Sequence, residues 1–259
     1  MLCRGNFCFV LIGEYFYFCG MNKIEICLTH ELIHQHELRG KIVVIVDVFR
    51  ATSCIVSGLA TGVKAIKPVI EVDTCFEYQK QGWLAGGERH AQKIEGFDLD
   101  NSPFSYMEDS VKGKKIVMTT TNGTLAVNKS LVADEILVAS FGNLSATAHY
   151  INTQKKDIVV ICAGWKGQPG LEDVLFGGAL ASKLQGEFEL SGDSTHLAIA
   201  VYESAKNDLL SYLQRASHLQ RIKSLTGGQD IPFCLEVDRF NVVIKLNEEK
   251  ELVLNTLPE

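Results

Sequence analysis

The sequence predicts an α/β fold, a three-layer α/β/α sandwich around a mostly parallel sheet, with a division into two lobes left open. Three observations predict it. Short runs rich in Val and Ile at 42–46, 116–118 and 158–161 do not alternate with polar residues, so they read as strands buried on both faces. Helical patterns alternate with such strands along the chain. Each of the three runs also ends in a burst of polar residues that leads into a helix, and in open α/β sheets ligands sit at that junction.

Taken in order, residues 24–28 read as a strand and 42–46 as the strongest one. A helix is expected over 53–59, stopping near Gly62. Residues 65–69 read as a strand, 72–81 as a helix and 83–85 as a short strand. The polar segment 86–103 that follows is longer than a usual βα connection, and long ordered loops tend to carry function. Strands are expected at 116–118, 136–139 and 158–161, with Asn122 and Asn143 placed to cap the helices between them. Helical patterns cover 171–184 and, as one or two helices, 202–222. Residues 241–246 and 251–254 read as late strands in an edge hairpin. The best hinge between lobes is 186–193.

The 259 residues suit one large domain or two small lobes. An apolar share of 46% is enough for a sizeable core, and the net charge of −6 comes without a basic block, which argues against a nucleic-acid partner. The eight cysteines form no C-x-x-C pair, so free thiols in a reducing cytoplasm are expected. The first twenty residues hold apolar stretches interrupted at Gly13 and Glu14, too short for a membrane span. They read as an in-frame extension ahead of a start at Met21, or as a signal-like segment, with one α/β domain over 21–259. The chain is expected to be cytoplasmic, with no membrane partner, and a homo-oligomer is allowed.

The polar bursts carry the candidate chemistry. Asp47 follows five apolar residues, and a carboxylate buried there needs a cation, a helix N-terminus or an arginine. Arg50 offers a planar fork suited to phosphate or carboxylate, and Thr52 and Ser53 can cap the next helix. The plain alternative is a helix cap with an Asp47–Arg50 ion pair. Residues 119–124 place four threonines around Asn122–Gly123, which can cradle a phosphate or simply form a turn. Glu88 and Arg89, then Glu95, Asp98, Asn101 and Ser102, lie on the long polar segment, as metal oxygens, base and oxyanion ligand or as a solvated loop. His90 is read as a surface residue. Glu172 and Asp173 open a helix, where its dipole favours them; with Asp47 nearby they would suit Mg²⁺. There is no P-loop, no dinucleotide fingerprint and no nucleophile elbow. Asp47-Val48-Phe49 lacks the second aspartate of a phospho-aspartyl phosphatase, so a water nucleophile is the simpler route.

These motifs in this order resemble the 2-phosphosulfolactate phosphatase family. The resemblance rests on residues 46–53, 87–89, 93–98, 101–103, 119–124 and 171–173, and on 230–234 with Asp238, over roughly Met21 to Leu246. It implies an α/β, Mg²⁺-dependent acid phosphatase that hydrolyses 2-phospho-3-sulfolactate to 3-sulfolactate and phosphate, a reaction that serves coenzyme M synthesis in methanogens. Cys54, Asp100 and the lack of a proline near Val243 depart from the family pattern and touch substrate preference.

The resulting assignment makes Asp47, Glu172 and Asp173 the metal ligands, with Glu95 in reserve. Arg50 and Arg89 hold substrate oxygens, and Glu88 orients the attacking water. Thr52, Ser53, Asn101, Ser102, Thr120, Asn122, Gly123, Thr124, Asn143 and Lys166 bind a small anionic substrate. The competing expectations are a hydrolase of another small phosphorylated acid and a non-catalytic anion-binding protein.

Overall fold

A computed structural model describes residues 20–255. The extension expected over 1–20 lies, apart from Gly20, outside them. In chain order the elements are β1 (Lys23–Cys27), β2 (Ile42–Val46), α1 (Ala51–Thr61), β3 (Ala65–Pro68), α2 (Val72–Lys80), β4 (Leu84–Arg89), β5 (Gln92–Lys93), β6 (Lys115–Thr119), α3 (Gly123–Lys129), β7 (Glu135–Ala139) and α4 (Leu144–Gln154). They continue with β8 (Ile158–Cys162), α5 (Leu171–Leu184), β9 (Glu189–Leu190), α6 (Asp193–Ala205), α7 (Leu209–Leu213), α8 (Ser217–Thr226), α9 (Ile231–Cys234), β10 (Val243–Leu246) and β11 (Leu252–Asn255).

Eleven strands form one sheet in the order β9–β1–β8–β2–β7–β10–β11–β3–β6–β4–β5. The first five are parallel, as are β3, β6 and β4. The hairpin β10–β11 sits between these two blocks and pairs antiparallel with each. Three antiparallel steps in succession make the second block run opposite to the first. α1 and α3 are the connections that cross between blocks.

The non-alternating strands are buried on both faces, as their composition requires. In β2, Ile42, Val44 and Val46 pack with Ile151 of α4, Leu175 and Phe176 of α5 and Leu219 of α8. Val43 and Ile45 face the other way, onto Ile55 and Leu59 of α1 and Ala126 of α3. This gives the expected three layers. α1 stops at Gly62, whose φ of 116° lets its N–H reach back to the last turn.

The structure corrects four expectations. The long loop begins as a hairpin: β4 runs on to Arg89 and turns through His90 and Ala91, both at positive φ, into β5. The helical region near 202–222 divides into α6, α7 and α8, and begins earlier, at Asp193. The late hairpin is central rather than at an edge, which its hydrophobic Val243, Ile244 and Leu252 allow. The proposed hinge contains β9, which extends the first block by pairing with β1, so it does not divide lobes. Among the described residues no helix is long and apolar enough to cross a membrane, and Cys27, Cys54, Cys75, Cys162 and Cys234 are all free and buried.

The closest helix contact is α5 on α6. A Cβ placed on Gly178 would lie 2.1 Å from the Ala198 carbonyl oxygen, and backbone cannot yield as a side chain does. Gly178→Ala should therefore destabilise the fold by about 1–3 kcal/mol despite the better helix propensity of alanine. The urea midpoint measures it, and an unchanged or raised midpoint would contradict this packing.

Candidate active site

Asp47 leaves the end of β2 and is 8% exposed. Its side chain accepts from the Ala51 N–H at 3.3 Å, while its main chain is braced by the Thr52 hydroxyl. α3 starts against it. A Cβ on Gly123 would come within 2.7 Å of Asp47 Oδ2 and 2.8 Å of the Ala51 Cβ, so only glycine allows this approach. Burial, above all, pushes the Asp47 carboxyl up to about 6; His218 and the Ala51 N–H pull it down, and Glu88 and Glu172 push it up.

Asp173 follows from the first turn of α5 and ties two strand ends together. Its Oδ1 accepts from the Val48 N–H at 2.8 Å and its Oδ2 from the Gly164 N–H at 3.0 Å. Burial, then Glu172 and Asp47, hold this carboxyl well above the ordinary range. Glu172 is equally buried. Its Oε1 meets His218 Nδ1 at 2.5 Å, and its Oε2 is buried without a hydrogen-bond partner.

From the second block, Glu88 ends β4 and faces Asp47 across the cavity. Its Oε1 accepts from the N–H and hydroxyl of Thr121, and its Oε2 from the Ala91 N–H. Glu88 therefore fixes the β6–α3 loop to the hairpin as well as lining the cavity. Arg50, after a cis Phe49–Arg50 peptide, is 6% exposed and paired to buried Asp230 at 2.5 Å. The pairing corrects the expected Asp47–Arg50 ion pair. It leaves one edge of the guanidinium at the cavity wall and holds Arg50 firmly protonated, against its burial.

These groups surround a cavity of about 240 Å³ lined by Asp47, Phe49, Arg50, Glu88, His90, Ala91, Asn101, Thr121, Asn122, Trp165, Lys166, His218, Arg221 and Ile222. Six residues assigned from the sequence line it: Asp47, Arg50, Glu88, Asn101, Asn122 and Lys166. Ser102 lines an adjoining cavity that shares Arg50 and Asn101.

Other assigned residues lie elsewhere. Arg89 turns away, donating to the carbonyls of Glu88 and Ile70 and to the Thr119 hydroxyl, so it locks strand ends instead of holding substrate. The Ser53 hydroxyl donates to the Val48 carbonyl, and Thr52 serves the Asp47 main chain. The Thr120 and Thr124 N–H groups each donate to the other's hydroxyl, and the Thr124 hydroxyl donates to the Thr120 carbonyl, which takes up the main-chain donors expected for a phosphate. Gly123 supplies close approach in place of a cradle. Asn143 is fully buried, closing a capping box with Ser140 and donating to the Val242 carbonyl. Glu95 and Asp98 are exposed; Asp98 accepts from the Ala85 N–H and the Gln79 amide. Among the described residues no three His, Cys, Asp or Glu side chains converge as a metal-holding group. The expected three-carboxylate set fails at Asp173, whose two oxygens are committed to main-chain N–H groups.

Sequence reading missed His218 and Arg221 and named Asp230 only within the resembling segment 230–234, with no role; His90 is exposed, as read, and also borders the cavity. The first two flank Leu219 and Ile222, the buried stripe of α8, so they mark the edge of an apolar face. Only the chain's return over the sheet brings that edge to the site.

A strand-end cavity that sets buried carboxylates against Arg50, Lys166 and Arg221 belongs to an enzyme acting on a small oxyanion ester. The family described as 2-phosphosulpholactate phosphatase matches residues 27–249. A protein named probable 2-phosphosulfolactate phosphatase from Caldanaerobacter subterraneus subsp. tengcongensis is 41% identical over 224 residues, covering 84% of this chain and 92% of its own. Proteins of the same name from Thermotoga maritima and Clostridium beijerinckii are 42% and 34% identical, covering 77% and 88% of this chain and 86% and 98% of their own. The chain belongs to the 2-phosphosulfolactate phosphatase family and is a phosphoric monoester hydrolase. That sets aside the non-catalytic alternative.

The raised carboxyl of Asp47 gives a pH signature. Its proton is held more tightly in the folded chain than in the unfolded one, so its contribution to stability is complete below about pH 4 and is lost as pH rises through about 6. In chelator, Asp47→Asn should gain about 2 kcal/mol over the native chain at pH 7–8 and nothing at pH 4 or below. Denaturant melts across that range test it; a gain independent of pH would contradict it.

Proposed function

We propose that this chain hydrolyses 2-phospho-3-sulfolactate to 3-sulfolactate and phosphate with Mg²⁺ as cofactor. The observation that carries the reading is the cavity itself, whose lining combines the carboxylates Asp47 and Glu88 with the cations Arg50, Lys166 and Arg221. The relatives' name supplies the substrate.

The residues suit a magnesium ion in a limited way. Mg²⁺ takes one or two carboxylates and completes its shell with water and substrate phosphate, so three converging protein ligands are not required. Asp47 and the unpartnered Oε2 of Glu172 are the oxygens that would hold it, and the negative charge gathered around Asp47 is what it would neutralise. When bound, the ion would offset phosphoryl charge and favour deprotonation of water.

The protein's own groups do the rest. Arg50, fixed by Asp230, presents donors to the phosphoryl oxygens and stabilises charge as it grows on them. Thr121 and Asn122 line the cavity from the second block, set by the grip of Glu88. Water adds to phosphorus, the bond to the ester oxygen breaks, and that oxygen leaves as an alkoxide that needs a proton. His218 is the imidazole held by Glu172 at the cavity wall and suits that transfer. Asp47 suits removal of the proton from water. Monoester hydrolysis is very slow without a catalyst, so charge neutralisation and positioning must carry most of the effect.

Phosphate release from 2-phospho-3-sulfolactate should appear with Mg²⁺ and fall at least about 100-fold in chelator or in Asp47→Asn. Turnover undiminished by chelator would refute the magnesium role. Faster turnover of a sulfonate-free phosphorylated acid would move the substrate to that class.

A further inference from the structure

We propose that Arg221 and Lys166, brought against the Trp165 ring, form a second oxyanion subsite. It would hold an acidic group of the substrate other than the phosphoryl, a carboxylate or a sulfonate. The role in turnover rests on the phosphatase reading above; the binding role does not.

The two cations reach one platform from different elements. Lys166 Nζ lies 4.8 Å from the centre of the Trp165 ring, and the Arg221 guanidinium carbon 5.9 Å from it. The ring is held from α8 by His218, stacked at 5.4 Å with planes 12° apart. The ion pairs at the cavity are Arg50–Asp230 and His218–Glu172, and among the described residues neither Arg221 nor Lys166 pairs with a carboxylate. The hydrogen bond Arg221 makes, to the His90 carbonyl, is long at 3.4 Å. Two cationic donors at an aromatic wall, Lys166 exposed and Arg221 partly so, suit a planar or tetrahedral oxyanion.

The turn that carries Lys166 adds an independent observation. Trp165 and Gln168 exchange both main-chain hydrogen bonds, and between them Lys166 and Gly167 have φ of 52° and 72°. That is a two-residue hairpin turn with both central residues left-handed, where Asn-Gly is the favoured pair. Lysine is a poor choice for that backbone. The turn holds the Lys166 ammonium over the Trp165 ring at the mouth of the site.

Two sets of lining residues divide the work. The phosphoryl set is Asp47, Glu88 and Arg50. The second set is Trp165, Lys166 and Arg221, and it selects for a second acid. A phosphomonoester without one loses that contact and should bind less well.

The test compares native, Arg221→Gln, Arg221→Lys and Lys166→Asn chains on three substrates: 2-phosphosulfolactate, 2-phospholactate and phenyl phosphate. The expected result is a 10- to 100-fold loss of preference for the acid-bearing esters over phenyl phosphate in Arg221→Gln, carried mostly by KM. Arg221→Lys should restore part of it. Lys166→Asn should lose preference while its melting temperature holds or rises. Loss on both acidic esters assigns the carboxylate to the subsite, and loss on the sulfonate ester alone assigns the sulfonate. An equal fall on all three substrates, or no fall, overturns the proposal. If the native chain turns over none of them, the phosphatase reading fails separately. Calorimetry with 3-sulfolactate then decides, with at least tenfold weaker binding in Arg221→Gln supporting the subsite and equal binding refuting it.

Discussion

The site depends on Asp173. It is a buried carboxylate whose oxygens take the main-chain N–H groups of Val48 and Gly164, one from the loop after β2 and one from the loop after β8. That pair of bonds sets the two loops at a fixed separation, and Asp47, Arg50, Trp165 and Lys166 all descend from them. The cost is electrostatic. Asp47, Glu172 and Asp173 share a region where burial already disfavours the ionised form of Asp47 and Asp173, and each carboxylate raises the cost of its neighbours. His218, held by Glu172, answers part of that charge. The lining of the cavity keeps carboxylates, Asp47 and Glu88, and cations, Arg50, Lys166 and Arg221, together.

The opposed strand blocks explain how distant segments meet. One block brings Asp47 and the 164–173 loop; the other brings Glu88 and the 119–123 loop. Residues from both blocks line one cavity, and Gly123 lets α3 close on Asp47. The residues that lock this junction are polar yet fully employed. Arg89, Thr52, Thr120, Thr124 and Asn143 resemble ligands in composition, but their donors and acceptors go to the protein's own backbone.

That distinction marks where sequence reading succeeded and where it ended. Strands such as β2 and β8 were legible because burial on both faces demands unbroken Val and Ile, and α5 was legible from its periodicity through Leu184. Asp47 was legible because a carboxylate after five apolar residues is costly without a partner. The partner itself was not. Asp230 lies 180 residues from Arg50, and no local pattern separates a threonine that faces a cavity, Thr121, from one that bonds its neighbour, Thr120. His218 and Arg221 reach the site only through the packing of α8, so their place was set by tertiary structure alone.

The central claim is that the carboxylates of the cavity form a cation site whose occupation relieves charge repulsion around Asp47. The melting temperature at pH 8, measured without substrate as Mg²⁺ is raised to many times its dissociation constant, tests it directly. The native chain should gain stability by about 2–3 kcal/mol at a hundredfold excess, and Asp47→Asn should gain almost none. A native melting temperature indifferent to Mg²⁺, or an equal rise in both chains, would contradict the account.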